Sequence, residues 1–218
     1  YFVAIVATLE GNPDSTGYYG GWGMVIVYEN SLMKWRDITV FDGHAYVQGS
    51  TTVNYTFDVS GFNTAQSGDI NLKLGVMAGE GDVGVSGDYF QIQRQDNGTF
   101  QPLSHSSNST TNFFNSSINT GGNARNPSLI NNTGLDISMF NVNNTNNGVI
   151  TNNQTQTRFR YGSTQDTYII FNVTFSVDSY VPEINGVITN TSINGNPNPV
   201  PIIIEPGQFA EYKLEIKN

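Results

Sequence analysis

The sequence predicts an all-β fold, and more narrowly an antiparallel β-sandwich with a long Asn/Ser-rich insertion and a C-terminal strand or arm. Three observations support this prediction. Apolar and polar residues alternate repeatedly along the chain, no segment carries a sustained helical stripe with capping residues, and aromatic and β-branched residues occur beside frequent Gly and Asn. The 218 residues are enough to bury one good core.

Two segments show the alternation most clearly. From Thr52 to Val59 the odd-numbered positions are apolar, and Asn54 falls on the opposite face. From Ile169 to Val177 the odd-numbered positions are again apolar, and Asn172 falls on the more polar face. Because successive side chains of a strand point to opposite faces, we expect Asn54 and Asn172 to point to solvent.

Seven further strands are predicted from shorter apolar or alternating runs. They are Phe2–Leu9, Trp22–Glu29, Ile38–Phe41, Ile70–Met77, Tyr89–Arg94, Arg158–Tyr161 and Phe209–Ile216. The run from Trp22 to Tyr28 is almost wholly apolar, so we expect a central strand that is covered on both faces.

The composition changes twice along the chain. Residues 97–154 are rich in Asn, Ser, Thr and Gly, with spaced apolar anchors, and we expect an ordered insertion pinned to the sandwich rather than a disordered linker. A Pro/Asn/Gly-rich run at 194–201 precedes the last alternating segment. We therefore divide the chain into a β-sandwich module, 1–184, and a linker with a strand of a following unit or an exchanged arm, 185–218.

Charge and residue usage exclude several functions. The formal net charge is -9 and no basic residues cluster, so nucleic acid is not an expected partner. The chain has no Cys, which removes disulfides, thiolate metal sites and cysteine catalysis. No apolar run reaches membrane-spanning length, so we expect no membrane insertion of this segment.

Asn-x-Ser/Thr sequons are unusually dense. They begin at Asn54, Asn97, Asn108, Asn115, Asn131, Asn143, Asn153, Asn172 and Asn190. Such sequons accept N-glycans only in exported proteins, so their density predicts an extracellular, cell-surface glycoprotein. An Asn- and Thr-rich chain also generates sequons by chance.

Four strings carry a family resemblance. They are YYGGWGMVIVYEN (18–30), WRDITVFDGHAYV (35–47), LKLGVMAGEGDVGVSGDYFQI (72–92) and NFFNSSI (112–118). In this order they resemble an N-terminal-type module of large adhesin-like repeat proteins on the surface of methanogenic archaea and some bacteria. The final EPGQFAEYKLEIKN (205–218) is similar to the opening of the immunoglobulin-like repeats that follow this module in the family.

The resemblance implies a non-enzymatic, extracellular structural or adhesive module of a surface protein or filament. Its expected partners are copies of itself or neighbouring modules, with glycans as a further class. The strand-like ends Phe2–Leu9 and Phe209–Ile216 favour assembly by β-strand exchange between subunits. Asn115 lies inside a family-like string, NFFNSSI, that is accounted for without sugar, so it is omitted from the glycan acceptors.

Acidic residues in Gly-rich loops admit a calcium site. Glu80, Asp82 and Asp88 have oxygen ligands of the kind that Ca²⁺ prefers, although their spacing is not that of an EF-hand. The alternative is turn formation, because Asp beside Gly permits unusual backbone angles. Of the two interpretations, turn formation is favoured over a calcium site. No other cofactor is predicted.

Two alternative functions use other residues. Tyr18 and Tyr19, beside Gly17 and Gly20, would form an aromatic platform in a carbohydrate-binding module on the same fold, although aromatic residues in a sandwich are more often core. Paired carboxylates would serve glycoside hydrolysis only if they faced each other across a cleft. We therefore expect no enzyme and assign no catalytic residue.

Overall fold

The structure is a computed structural model that describes residues 9, 11, 22–182, 185–197 and 203–217. The chain divides into two units, Tyr1–Tyr180 and Val181–Asn218. The division falls after residue 180, four residues before the expected boundary at 184. The predicted strand Phe2–Leu9 lies, except for Leu9, outside the described residues.

The first unit contains two β-sheets. Its strands are β1 (Arg36–Val47), β2 (Tyr55–Ser60), β3 (Leu72–Gly79), β4 (Asp88–Gln93), β5 (Phe100–Pro102), β6 (Ile118–Asn119), β7 (Leu135–Val142), β8 (Gln156–Ser163) and β9 (Tyr168–Asp178), with a 3-10 turn at Thr145–Asn147. One sheet has the order β1-β9-β3-β7-β6 and the other β2-β8-β4-β5. All pairs are antiparallel except β6 with β7. The all-β, sandwich-like fold is confirmed, without an α-helix in the described ranges.

Aromatic side chains join the two sheets. Phe57, Phe159 and Phe90 stack across neighbouring strands of the four-stranded sheet, with ring centroids 5.2 to 6.4 Å apart. Phe175 of β9 meets Phe159 edge-on at 6.3 Å, and Phe41 of β1 meets Phe57 at 6.2 Å. Full burial of one such side chain contributes roughly 1.5 to 3 kcal/mol, so these aromatic contacts stabilise the packing of the two sheets.

The Asn/Ser-rich segment 97–154 is ordered, as expected, but it is not an insertion. It supplies β5 to one sheet and β7 to the other, so it completes both. Phe113 and Phe114 are fully buried, and the Phe114 ring stacks on Tyr168 with centroids 4.0 Å apart. The polar composition of the segment did not predict these strands. A few large apolar side chains are enough to anchor a segment that is otherwise polar.

The prediction of a central strand at Trp22–Tyr28 is wrong. These residues belong to no sheet, and their large apolar side chains are 37 to 71% exposed. Gly23 lies against the Met77 side chain, on the outer face of the five-stranded sheet. A continuous apolar run has the same sequence pattern whether the strand is covered or still lacks neighbours, which is why periodicity could not distinguish the two.

The second unit is a small sheet of its own. It contains β10 (Asn185–Ile193), β11 (Asn196–Pro197) and β12 (Ala210–Lys217), in the order β11-β10-β12. The predicted C-terminal strand therefore pairs with β10 of its own unit. It is not a lone exchanged arm. Ile188, Tyr212, Leu214 and Ile216 remain exposed on this ribbon.

We expect Phe114→Ala to destabilise the first unit by about 3 to 5 kcal/mol, since it removes a fully buried ring that packs on Tyr168 and Phe90. Urea unfolding followed by circular dichroism measures the change. Leu129→Ala, in the same segment but half exposed, is the control and is expected to change stability by less than about 0.5 kcal/mol. Equal effects of the two substitutions would show that Phe114 does not anchor the segment.

Candidate functional site

The first candidate surface is the exposed run Trp22–Tyr28, here called the apolar segment. Within the described residues its backbone makes no ladder hydrogen bond. A turn follows, in which the side-chain oxygen of Asn30 accepts from the Leu32 N–H and its main-chain carbonyl accepts from the Met33 N–H. The segment thus presents both unpaired main-chain groups and apolar side chains, the two features by which one strand adds to another.

The second part of this surface is the outer edge of β1, here called the β1 edge. Among the described residues, strand β1 is the last in its sheet and pairs with β9 alone, so its other side has N–H and C=O groups without a partner in that part of the chain. Seven residues, Arg36–Asp42, run without interruption before a bulge between Asp42 and Ala45. Ile38 and Val40 are exposed, and the edge contains no proline. Natural edges usually carry stronger protection.

A different candidate site is a cluster of five carboxyl groups at one end of the sandwich. Glu80 and Asp82 lie in the loop after β3, Asp88 begins β4, Asp136 lies in β7, and Asp166 lies between β8 and β9. Asp88, Asp136 and Asp166 are buried, whereas Asp82 is exposed. No ion pair links any of the five to a lysine or arginine in the part of the chain that the structure describes.

Main-chain N–H groups of one short segment bind two of these carboxylates. Asp88 Oδ1 accepts from Phe113 and Phe114 at 2.6 and 2.8 Å. Asp136 Oδ1 accepts from Asn115 and Ser117 at 2.9 and 3.0 Å. The other oxygen of each carboxylate, Oδ2, is buried and has no hydrogen-bond partner within the described residues.

The electrostatics of the cluster follow from burial. Burial raises the pKa of Asp88 and the pKa of Asp136 to about 7, although the main-chain N–H groups oppose the shift. The pKa of Glu80 also rises to about 7, through burial first and then the charges of Asp166 and Asp82. Burial raises the pKa of Asp166 to about 6. At neutral pH these carboxyl groups are therefore only partly ionised, and within the described residues no lysine or arginine forms an ion pair with them.

The predicted calcium ligands are only partly brought together. Glu80, Asp82 and Asp88 do not converge, and no three His, Asp or Glu side chains form a ready metal site anywhere in the described ranges. Asp136 and Asp166 were missed. In β7 the apolar Leu135, Ile137 and Met139 suggest the inward face, but the structure buries the alternate positions, which include Asp136.

His105 is half-buried, with its ring against Phe113 and Phe140. Burial lowers the pKa of His105 to about 4, so the imidazole is neutral. Asn119 donates to Nδ1 at 2.8 Å, which leaves the proton on Nε2 to donate to Ser138 Oγ at 2.9 Å. Both ring nitrogens are therefore occupied within the protein.

The sequons fall into two groups. Exposed asparagines whose Nδ2 makes no hydrogen bond within the described residues are Asn54, Asn97, Asn131, Asn143 and Asn153. In Asn97 and Asn143 the side-chain oxygen accepts from the main chain and the hydroxyl of the sequon Thr, while Nδ2 makes no hydrogen bond to a described residue. These five have the geometry that a glycan acceptor requires.

The remaining sequons have committed or covered side chains. Asn108 is 2% exposed, and its Nδ2 donates to Phe113 and Asn115. The Nδ2 of Asn115 and that of Asn190 also donate to main-chain carbonyls. Asn172 is 6% exposed, so the expectation that it points to solvent is wrong. It lies on the interior strand β9 between Asp42 and Met77, and neighbouring strands cover even a polar residue there.

The predicted sugar platform cannot be placed, because Tyr18 and Tyr19 lie outside the described residues. A polar depression of about 260 Å³ lies on the four-stranded sheet and is lined by Asp58, Gln93, Gln95, Gln156, Thr157 and Arg158. None of these side chains is aromatic. The depression therefore lacks the aromatic surface that the carbohydrate-binding interpretation requires.

No family model matches the chain, and no match was found among curated proteins or solved structures. The resemblance to adhesin-like modules therefore stays a prediction. In the described ranges no helix is long and apolar enough to cross a membrane.

We expect a host that modifies Asn-x-Ser/Thr to glycosylate Asn97, Asn131 and Asn143 and to leave Asn108 and Asn172 unmodified. Modification requires an accessible Nδ2, which the folded protein provides only in the first group. Glycopeptide mass spectrometry measures occupancy at each position. Asn97→Gln should remove the mass of one glycan, and Asn172→Gln should remove none; sugar at Asn108 would contradict the assignment.

Proposed function

We propose that this protein is a non-enzymatic structural or adhesive module of an extracellular surface protein or filament, which associates with copies of itself by β-strand addition. The observation that supports it most directly is the apolar segment, a run of exposed apolar side chains that makes no ladder hydrogen bond to any other described residue. Accessible sequons at Asn97, Asn131 and Asn143 support the surface location.

The proposed association places the apolar segment of one copy along the β1 edge of another. The lengths match, since Trp22–Tyr28 and Arg36–Asp42 each contain seven residues. In an antiparallel register that pairs Trp22 with Asp42 and Tyr28 with Arg36, Met24 faces Val40 and Ile26 faces Ile38. These two apolar pairs lie on the outward face of β1 and each contributes about 0.2 to 1 kcal/mol.

Strand addition also satisfies main-chain groups. Each ladder hydrogen bond contributes only about 0.5 to 1.5 kcal/mol, but a seven-residue ladder adds several together. The resulting interface is directional, because the apolar segment of one copy occupies the β1 edge of the next. In such a pair one copy still has a free β1 edge and the other a free apolar segment. Such a heterologous contact builds open chains unless it closes into a ring.

The same register is available within one chain, through the turn at Asn30–Met33. A hairpin of the apolar segment on its own β1 would satisfy both surfaces and leave a monomer. The two arrangements predict different stoichiometries. Self-association therefore tests the proposal directly.

We expect the protein to form concentration-dependent oligomers by analytical ultracentrifugation, and Val25→Pro/Ile26→Pro to weaken self-association at least about tenfold. Adjacent N–H groups of a strand point to opposite edges, so one of the two prolines removes a ladder bond. Leu32→Ala is the control, because it removes the most exposed apolar side chain outside the segment and should leave association unchanged. A stable monomer at every concentration would contradict the proposal.

Mixing complementary variants gives a sharper test. Ile38→Lys/Val40→Lys places lysines on the β1 edge and leaves the apolar segment intact, whereas the double-proline variant leaves the edge intact. Each variant alone should stay monomeric, and an equimolar mixture should form a 1:1 complex by native mass spectrometry that grows no further. Ser176→Lys, on the paired strand β9 beside Ile38, is the control and should assemble like the wild type. Absence of the 1:1 complex would contradict the proposed pairing of the apolar segment with the β1 edge.

A further inference from the structure

The carboxylate cluster contains buried oxygen atoms that no group in the described part of the chain satisfies. Asp88 is 0% exposed and Asp136 is 3% exposed, yet Oδ2 of each has no hydrogen-bond partner in the ranges that the structure describes. The same holds for the buried Oε2 of Glu80. Native proteins contain few such atoms, and an unmade bond to a buried charged group is especially unfavourable.

Protonation alone does not resolve this arrangement. A neutral carboxylic acid carries an O–H that needs an acceptor, and neither Oδ2 has a partner of either kind among the described residues. No lysine or arginine forms an ion pair with these groups in the same part of the chain. A positive charge from outside the chain would satisfy both the charge and the unused lone pairs.

The surroundings of Asp136 Oδ2 contain another oxygen. A Cβ added to Gly81 would lie 2.7 Å from Asp136 Oδ2 and also against the main-chain carbonyl oxygen of Phe114. A carboxylate oxygen and a carbonyl oxygen therefore border the same small space. The N–H of Phe114 in turn binds Asp88 Oδ1, which places the second buried carboxylate beside the same residue.

We propose that Asp88 and Asp136, together with the carbonyl group of Phe114, bind a calcium ion between the loop after β3 and residues 113–117. The donors are all oxygen, which favours Ca²⁺ or Mg²⁺ over zinc. Both nitrogens of His105 are already engaged by Asn119 and Ser138. Ca²⁺ accepts carbonyl and water ligands in a flexible geometry, so two carboxylates suffice where a ready set of three is missing.

The ion would link residues 113–117 to strands β4 and β7. Residues 113–117 already bind one oxygen of each carboxylate through four N–H groups. The ion would bind the remaining oxygens and so join β4, β7 and this segment. Ca²⁺ binding then stabilises the folded first unit, independently of any association between copies.

The wild-type protein should unfold at a higher temperature in Ca²⁺ than after treatment with a chelator. At a hundredfold excess of Ca²⁺ over its Kd we expect Tm to rise by about 5 to 10 °C. Equimolar Mg²⁺ should give a smaller rise, because it demands stricter octahedral geometry. Calorimetric titration with CaCl₂ into chelator-treated protein should show one site. An unchanged Tm together with the absence of binding heat would overturn the proposal.

Variants locate the site. Asp136→Asn and Asp88→Asn each keep an oxygen for the main-chain N–H groups but remove the charge, and both should abolish the Ca²⁺-dependent rise in Tm. Asp69→Asn, an exposed aspartate outside the cluster, should retain it. If the two variants fail to fold, terbium luminescence in the wild type replaces them, and Ca²⁺ should displace Tb³⁺ stoichiometrically. Retention of the full Ca²⁺ effect in both folded variants would place the ion elsewhere and overturn the assignment.

Discussion

The pairing of Asp88 and Asp136 with the main chain of residues 113–117 is the contact on which the sandwich depends. Four N–H groups of a short irregular segment are buried there, and buried main-chain donors require partners. The two carboxylates supply them from different sheets, since Asp88 begins β4 and Asp136 lies in β7. Phe113 and Phe114 are thereby held in the core, where the Asn/Ser-rich segment 97–154 closes the sandwich.

The fold class was predictable because period-2 alternation records burial on one face, as β3 shows with Leu72, Leu74 and Val76 inward. The same rule failed in β7, where the inward positions include Asp136 and Ser138. Their partners, the N–H groups at 115–117 and the His105 ring, come from distant parts of the chain. Hydrophobicity alone cannot reveal an inward polar side chain whose partner is set by tertiary structure.

Position within a sheet explains the other differences. Asn172 alternates as an exposed residue should, but β9 is flanked on both sides, by β1 and β3, and neighbouring side chains cover it. Trp22–Tyr28 has the composition of a flanked strand, but within the described residues it has no strand paired with it. A sequence specifies which face of a strand is apolar, whereas the presence of flanking strands depends on long-range pairing. The candidate calcium site was missed in part for the same reason, since Asp136 lies about fifty residues after Asp88.

Charge decides the direction of the proposed strand addition. The apolar segment itself is uncharged and is followed by Glu29, while the β1 edge begins after Lys34 with Arg36 and ends at Asp42. In an antiparallel pair Glu29 lies beside Arg36 and Lys34, whereas in a parallel pair it lies beside Asp42. Asp178 already neutralises part of the basic charge, through Arg36 at 3.1 Å and Lys34 at 3.8 Å. The parallel arrangement places Glu29 beside the like charge of Asp42, so the antiparallel direction is favoured. Each copy carries a net charge of -9, and copies therefore associate more readily as salt screens their mutual repulsion.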